Sequence, residues 1–272
     1  MAPATVEAIM APVKASATCC PSKRQKVEAP ISKTIVEAPR IVEVCLPQLL
    51  KFGGGCRLSL PAVLNQLGLS RPLLVTDAFI VKSGMLEPIQ HALADAEISA
   101  SVFSDCVPDP TTDSVAAGLD LWRSIAEAER PDCMVAVGGG SSIDSAKAMA
   151  LLAVHGGHMR DYKAPAVAPA GLPVIAIPTT AGTGSEVTRV TIITDTETNE
   201  KMLCMGFGLM PRAALVDYEL TLSMPYRLTA DSGLDALCHA MEAYVSKACA
   251  RTRPTHPRMG VRGDVPNPDS ET

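Results

Sequence analysis

Aromatic side chains are scarce in this chain of 272 residues: Phe, Trp and Tyr together make up 3%. A core built without them is filled by Ala, Val, Leu, Ile and Met, which suits parallel strands covered by helices rich in small residues. Hydrophobic residues reach 47%, enough for a sizeable core, so an α/β class is expected before any motif is read. Positive charge is also in short supply. The formal charge is −5 and the only basic cluster is "PSKRQK", residues 21–26, so no broad basic face is expected to neutralise a phosphate backbone, and nucleic acid is not an expected partner.

Paired cysteine spacing is missing as well. The nine cysteines are odd in number, scattered and without a C-x-x-C pair, which argues against a disulfide framework or a structural zinc site. Cys19 and Cys20 read as free thiols in a tail or as a lipidation site. No apolar run approaches the roughly 20 residues that cross a bilayer, so no membrane partner is expected. Residues 1–33 lack the continuous apolar segment of a secretory signal. Rich in Ala, Pro, Ser, Val and Lys and without helical or strand period, they read as a disordered leader, or as an organelle transit peptide. The expected compartment is the cytoplasm, with a mitochondrion or other organelle as the alternative.

What is present begins with alternation. Order is expected from about Thr34, and residues 34–217 read as one α/β domain. Strand-like "RPLLVTD", "CMVAVGGG" and "LPVIAIPTT" alternate with helix-like "SGMLEPIQHALADA", "SVAAGLDLWRSIAEAE" and "SIDSAKAMALLAVH", the mark of βαβ units around a parallel sheet. "TRVTIITD" and "KMLCMGF" read as a hairpin. Strand character ends near Tyr218, so residues 218–247 read as the beginning of a helical domain. Residues 248–272, with four Arg and four Pro, suit neither a helix nor a central strand. The apolar face of "LDALCHAMEAYV" is therefore expected to lack its cover.

Three loops carry candidate chemistry. In "VAVGGGSSIDSAKA", Gly138, Gly139 and Gly140 admit a ligand close to the backbone, Ser141 and Asp144 have capping-box spacing, and the helix start that follows would present N–H groups to a pyrophosphate. A plain strand-to-helix turn fits the same residues. In "PVIAIPTTAGTGSEVT", Thr179, Thr180, Thr183 and Ser185 offer hydroxyls to phosphate or ribose oxygens, or else to their own loop. Asp77 closes "RPLLVTD", where a carboxylate accepts from ribose hydroxyls and repels a 2′-phosphate, favouring NAD over NADP, although a solvated loop Asp fits equally. In "DSGLDALCHAMEAYVS", Asp235 and His239 stand at i and i+4 on one helix face and either reach one metal ion or pair with each other on the surface.

The order "FGGGCRLSLPAVLNQLG", "RPLLVTD", "GGGSSIDSAKA", "IPTTAGTGSEVT" and "GLDALCHAMEAYVS", covering about Ile35 to Ser246, resembles the iron-containing, group III alcohol dehydrogenase family. The resemblance implies a dinucleotide-binding α/β domain and a helical domain that holds a divalent metal between them. It places Asp77 at the adenosine ribose, Gly139, Gly140 and Ser141 at the pyrophosphate, Thr179, Thr180 and Thr183 along the phosphates towards the nicotinamide, and Lys201 within reach of the cofactor. Asp235 and His239 match the first two metal ligands, for Fe(II) or for Zn(II). It also implies hydride transfer between NAD(H) and a small alcohol or aldehyde, with the ion as Lewis acid, and relatives are often dimers or larger, so a homo-oligomer is allowed. The family's two remaining ligands are His residues from later helices. Here the resemblance stops after about Lys247, and His256, the only His beyond His239, sits in an unlike Pro-rich setting. His91, His155 and His158 read as surface residues. In "PDPTTDS", Asp109 stands where relatives often carry Asn. Two further readings are a zinc-dependent, glycerol-dehydrogenase-like relative and a non-catalytic nucleotide-binding fragment.

Overall fold

A computed structural model describes residues 45–246. The leader at 1–33, the tail at 248–272, Cys19, Cys20 and His256 lie outside the described residues. So do residues 34–44 at the expected start of order.

Six parallel strands make the sheet: β1 (Leu49–Phe52), β2 (Pro72–Val75), β3 (Ser101–Phe103), β4 (Cys133–Gly138), β5 (Val174–Pro178) and β8 (Ala213–Val216). They lie in the order β1-β8-β5-β4-β2-β3. Helices α1 (Leu60–Leu67), α3 (Glu87–Asp95), α4 (Thr112–Ser124) and α5 (Gly140–His155) cover it, and β6 (Val190–Thr194) pairs with β7 (Lys201–Met205) in the antiparallel hairpin read from the sequence. The strand side chains divide by the period of two. Leu73, Val75, Met134 and Ala136 pack into one core with α4 and α5, while Leu74, Val135, Val137, Ile175 and Ile177 pack into the other with α1 and α3. Burial on both faces explains why these strands are unbroken apolar runs. Each Leu or Ile so removed from water contributes about 1.5–3 kcal/mol.

The small-residue core has a local consequence. A Cβ on Gly118 of α4 would stand 2.6 Å from the Met149 sulfur of α5, so the Met149 thioether fills the space that the glycine leaves. The edge strands β1 and β3 are four and three residues long and were not among the strands anticipated.

Strand order decides where a ligand can enter. From β2 the chain leaves by α2 (Ala78–Lys82) and α3 towards β3, and from β4 it leaves by α5 towards β5, on the opposite side. The neighbours β2 and β4 thus send their connections in opposite directions, which opens a crevice at their carboxyl ends, the place where open α/β sheets bind ligands. Beyond β8 the chain continues into α6 (Tyr226–Val245), twenty residues of which only Ser232 is buried. None of the helices among the described residues is long and apolar enough to cross a membrane.

Candidate functional site

The crevice is a cleft of about 1040 Å³. Asp77 follows β2, Gly139 and Gly140 follow β4, Thr179, Thr180 and Thr183 follow β5, Lys201 opens β7, and Asp235 and His239 come from α6; all of these line the cleft, and Gly138, the last residue of β4, does not.

Asp77 is more than a loop residue. It caps α2, where one carboxylate oxygen accepts the amides of Phe79 at 2.8 Å and Ile80 at 3.0 Å. The anticipated capping box at the next helix does not form. Gly139 is the N-cap of α5 and brings no side-chain acceptor, so Ser141 falls inside the first turn. Asp144 turns away instead, accepting the Ser185 hydroxyl at 2.6 Å and the Ile192 amide at 2.9 Å. Three glycines move the helix start one residue ahead of the serine, and the first-turn N–H groups of α5 are left facing the cleft without a side-chain acceptor.

The two Gly- and hydroxyl-rich loops pack on each other. A Cβ on Gly139 would stand 3.2 Å from the Thr180 methyl, and one on Gly140 would stand 3.2 Å from the Thr183 methyl. Thr179 is buried and its amide donates to the Gly138 carbonyl at 3.0 Å. Thr183 Oγ1 accepts the Ser185 amide at 3.3 Å. Thr180 Oγ1 is buried beside the cleft and has no hydrogen-bond partner, which is unusual for a hydroxyl and leaves it for a ligand. Together with the start of α5, which no side chain caps, the loops offer hydrogen-bond donors of the kind that a phosphate accepts, and their residues fit such a group.

Two side chains that hold the walls of the cleft escaped the reading of the sequence. Lys147 of α5 is buried, and its ammonium donates to Ser185 Oγ at 3.1 Å, to the carbonyl and hydroxyl of Thr188 at 3.2 Å each, and to the Val190 carbonyl at 2.7 Å. Its Nζ is 3.9 Å from Asp144. Burial pulls the Lys147 ammonium down to about 8, against the opposing pull of Asp144 and Glu186. Burial likewise raises Asp144 and Glu186 from their ordinary values. Lys147 thus ties the hydroxyl loop and the start of β6 to α5. The signal was a lone cation inside the apolar run "IDSAKAMALL". Ser232, which anchors α6, gave none.

On α6, His239 Nε2 lies 3.7 Å from Asp235 Oδ1, and both side chains are about half exposed, at 54% and 48%. Among the described residues no group of three or more His, Cys, Asp or Glu converges. A held divalent ion needs three or four protein ligands, so these two residues do not by themselves fit a metal centre. His91, His155 and His158 are exposed and lie outside the cleft.

Comparison with known proteins gives one answer. The model of the iron-containing alcohol dehydrogenase family matches residues 47–218. The NAD-dependent methanol dehydrogenase of Bacillus methanolicus is 39% identical over 203 residues, 74% of this chain and 52% of that protein. The choline dehydrogenase of Bacillus subtilis is 40% identical over 207 residues, 74% of this chain and 50% of that one. Among solved structures, a 1,3-propanediol oxidoreductase superposes with a TM-score of 0.71 at 35% identity, over 76% of this chain and 54% of its own. The sulfoacetaldehyde reductase of Bifidobacterium kashiwanohense, solved with NAD+, gives 0.69 at 33%, over 77% and 57%. The chain spans about half the length of the curated relatives that it matches. A parallel sheet with its cleft at the switch of strand direction, and a match that runs from β1 through β8, have one reading: this chain belongs to the iron-containing alcohol dehydrogenase family.

Proposed function

We propose that the chain binds NAD(H) in the cleft as the cofactor-binding part of an enzyme that transfers hydride between that cofactor and a small alcohol or aldehyde. The observation that carries the reading is the buried, unpartnered Thr180 hydroxyl at the junction of two glycine-bearing loops, beside the uncapped N-terminus of α5. Gly139, Gly140 and Ser141 would hold the pyrophosphate, Thr179, Thr180 and Thr183 would follow the phosphates towards the nicotinamide, and Lys201 would supply positive charge. Asp77 would take the adenosine ribose and disfavour a 2′-phosphate.

The bound nicotinamide supplies the hydride chemistry, and the protein supplies position and exclusion of water. Leu228 and Ser232 of α6 line the cleft, and Asp235 and His239 add a carboxylate and an imidazole from the same helix. These two are suited to Fe(II) or Zn(II) as half of a ligand set, and the described residues bring no third ligand to it. Residues 218–247 would then be the first part of the helical domain that faces the cofactor domain. Five free cysteines among the described residues, Cys56, Cys106, Cys133, Cys204 and Cys238, favour a reducing compartment, the cytoplasm in our reading.

Titration of the purified chain with NADH and with NADPH tests the cofactor role. NADH should bind more tightly. Thr180→Val removes an unpartnered hydroxyl and keeps its shape, so the fold should be unchanged or slightly firmer while NADH binding weakens about fivefold, the worth of one hydrogen bond of about 1 kcal/mol. Equal NADH affinity in both proteins would show that the hydroxyl faces no cofactor.

A further inference from the structure

Asp109 sits where the chain holds it firmly. It lies between Pro108 and Pro110 with φ of 52°, a left-handed conformation that Asp and Asn tolerate better than most residues. The turn is fastened to the hairpin, because the Thr194 amide donates to the Pro110 carbonyl at 2.8 Å and Thr111 bridges Thr194. Thr194 is in turn the register partner of Lys201. These backbone ties bring Asp109 Oδ1 within 2.6 Å of Lys201 Nζ. One partner is fixed by its backbone, and the other is a compact charge on a flexible four-carbon stem.

The charge balance of the cleft gives this pair its importance. Asp77, Asp109, Asp144 and Asp235 line it, whereas Lys201 is the one Lys or Arg among the described lining residues. A nicotinamide dinucleotide brings two phosphate charges to the same space. Both members of the ion pair are mostly exposed, at 61% and 73%, so the pair is weak and readily exchanged. A phosphate in the cleft offers the ammonium a charge-assisted hydrogen bond in exchange.

We propose that Asp109 sets the cofactor affinity of the cleft by holding Lys201 in reserve: the bound dinucleotide draws the ammonium away from Asp109, whose carboxylate then opposes the same anion. This rests on the cofactor reading above and adds to it a residue that weakens binding. Its consequence is faster release of the cofactor.

The test is a double-mutant cycle on the intact chain, read by titration with NADH and with ADP-ribose, which carries both phosphates and no nicotinamide. Asn tolerates the left-handed backbone as Asp does, so Asp109→Asn changes charge alone. It should bind both probes about 2- to 5-fold more tightly, the range an exposed ion pair supports. Lys201→Ala should bind both more weakly. In the Lys201→Ala background Asp109→Asn should gain less than about 2-fold, and high salt should shrink every difference. Unchanged or weaker binding by Asp109→Asn overturns the proposal, and so does an equal gain with and without Lys201, which would mean simple repulsion. A parent chain that binds neither probe removes the cofactor reading and this one together. A parent that binds both while Asp109→Asn changes nothing removes this one alone.

Discussion

Gly182 and Ser232 touch through their backbones: a Cβ on Gly182 would stand 2.2 Å from the Ser232 carbonyl oxygen. The contact joins the hydroxyl loop after β5 to the single buried turn of α6, and Asp235 and His239 lie one and two turns further along that helix. The aim of both side chains into the cleft therefore depends on a glycine in another element.

Gly182→Ala should for that reason act at a distance. The new methyl meets backbone, which cannot rotate away, and the φ of 149° at Gly182 is foreign to alanine. We expect a loss of about 2–4 kcal/mol in unfolding experiments, or detachment of α6 at smaller cost. Limited proteolysis distinguishes the two, since a detached α6 is cut while the sheet stays intact. An alanine variant as stable and as resistant as the parent would show that the contact is not maintained in solution.

The sequence made the central strands legible because burial on both faces leaves a run such as "MVAVGGG" with no polar interruption. It hid β1 and β3, which are short, sit at the edges and are partly exposed. The glycine and hydroxyl loops, which line one cleft, stood out in the sequence because their composition is a local signal. Asp144 was not, since its partners Ser185 and Ile192 lie 41 and 48 residues on, and a capping box was the nearest local use for it. Lys201 and Asp109 were both noted by family resemblance, one as a match and one as a departure, while their pairing emerged only when the hairpin brought the two loops together.

Asp77 caps α2, the cofactor reading gives it a second duty at the ribose, and one pair of variants separates the two. Asp77→Asn keeps an oxygen for the amides of Phe79 and Ile80 and removes the charge, so the preference for NADH over NADPH should narrow with stability unchanged. Asp77→Ala should narrow it equally and also cost about 1 kcal/mol for the lost cap. Cofactor titration and thermal unfolding measure the two effects. An unchanged preference in both variants would remove Asp77 from the ribose.

Lys147 predicts a pH dependence of unusual sign. Its native ammonium titrates near 8, below the ordinary 10.5 of an unfolded lysine. Between these values the unfolded chain binds more protons than the native one, so this group's contribution to stability rises with pH across that window and is constant below it. Lys147→Met should flatten that segment of the stability curve relative to the parent. It should also lower stability near neutral pH by about 3–5 kcal/mol, because Asp144 loses its buried counter-charge. Urea unfolding of both proteins from pH 7 to 10.5 supplies the comparison, and parallel curves would mean that the ammonium is not depressed in the native state.

The last expectation concerns metal. Asp235 and His239 offer two donors, each about half exposed, so an ion held by them keeps most of its water and exchanges freely. Exposed apolar residues flank the pair on α6, among them Leu234, Leu237, Met241 and Tyr244, so neither the ligand set nor a dry surrounding is supplied by the described residues. Equilibrium dialysis of the chain against Zn(II), and anaerobically against Fe(II), should therefore show weak binding that His239→Ala reduces further. Alcohol oxidation with NAD should stay at background under the same loading, since hydride transfer needs a positioned, water-poor site. Near-stoichiometric metal that survives gel filtration and disappears in His239→Ala would reverse this. It would mean that further ligands converge on α6 from residues beyond the described ones, with His256 the first to replace, or from a second copy of the chain.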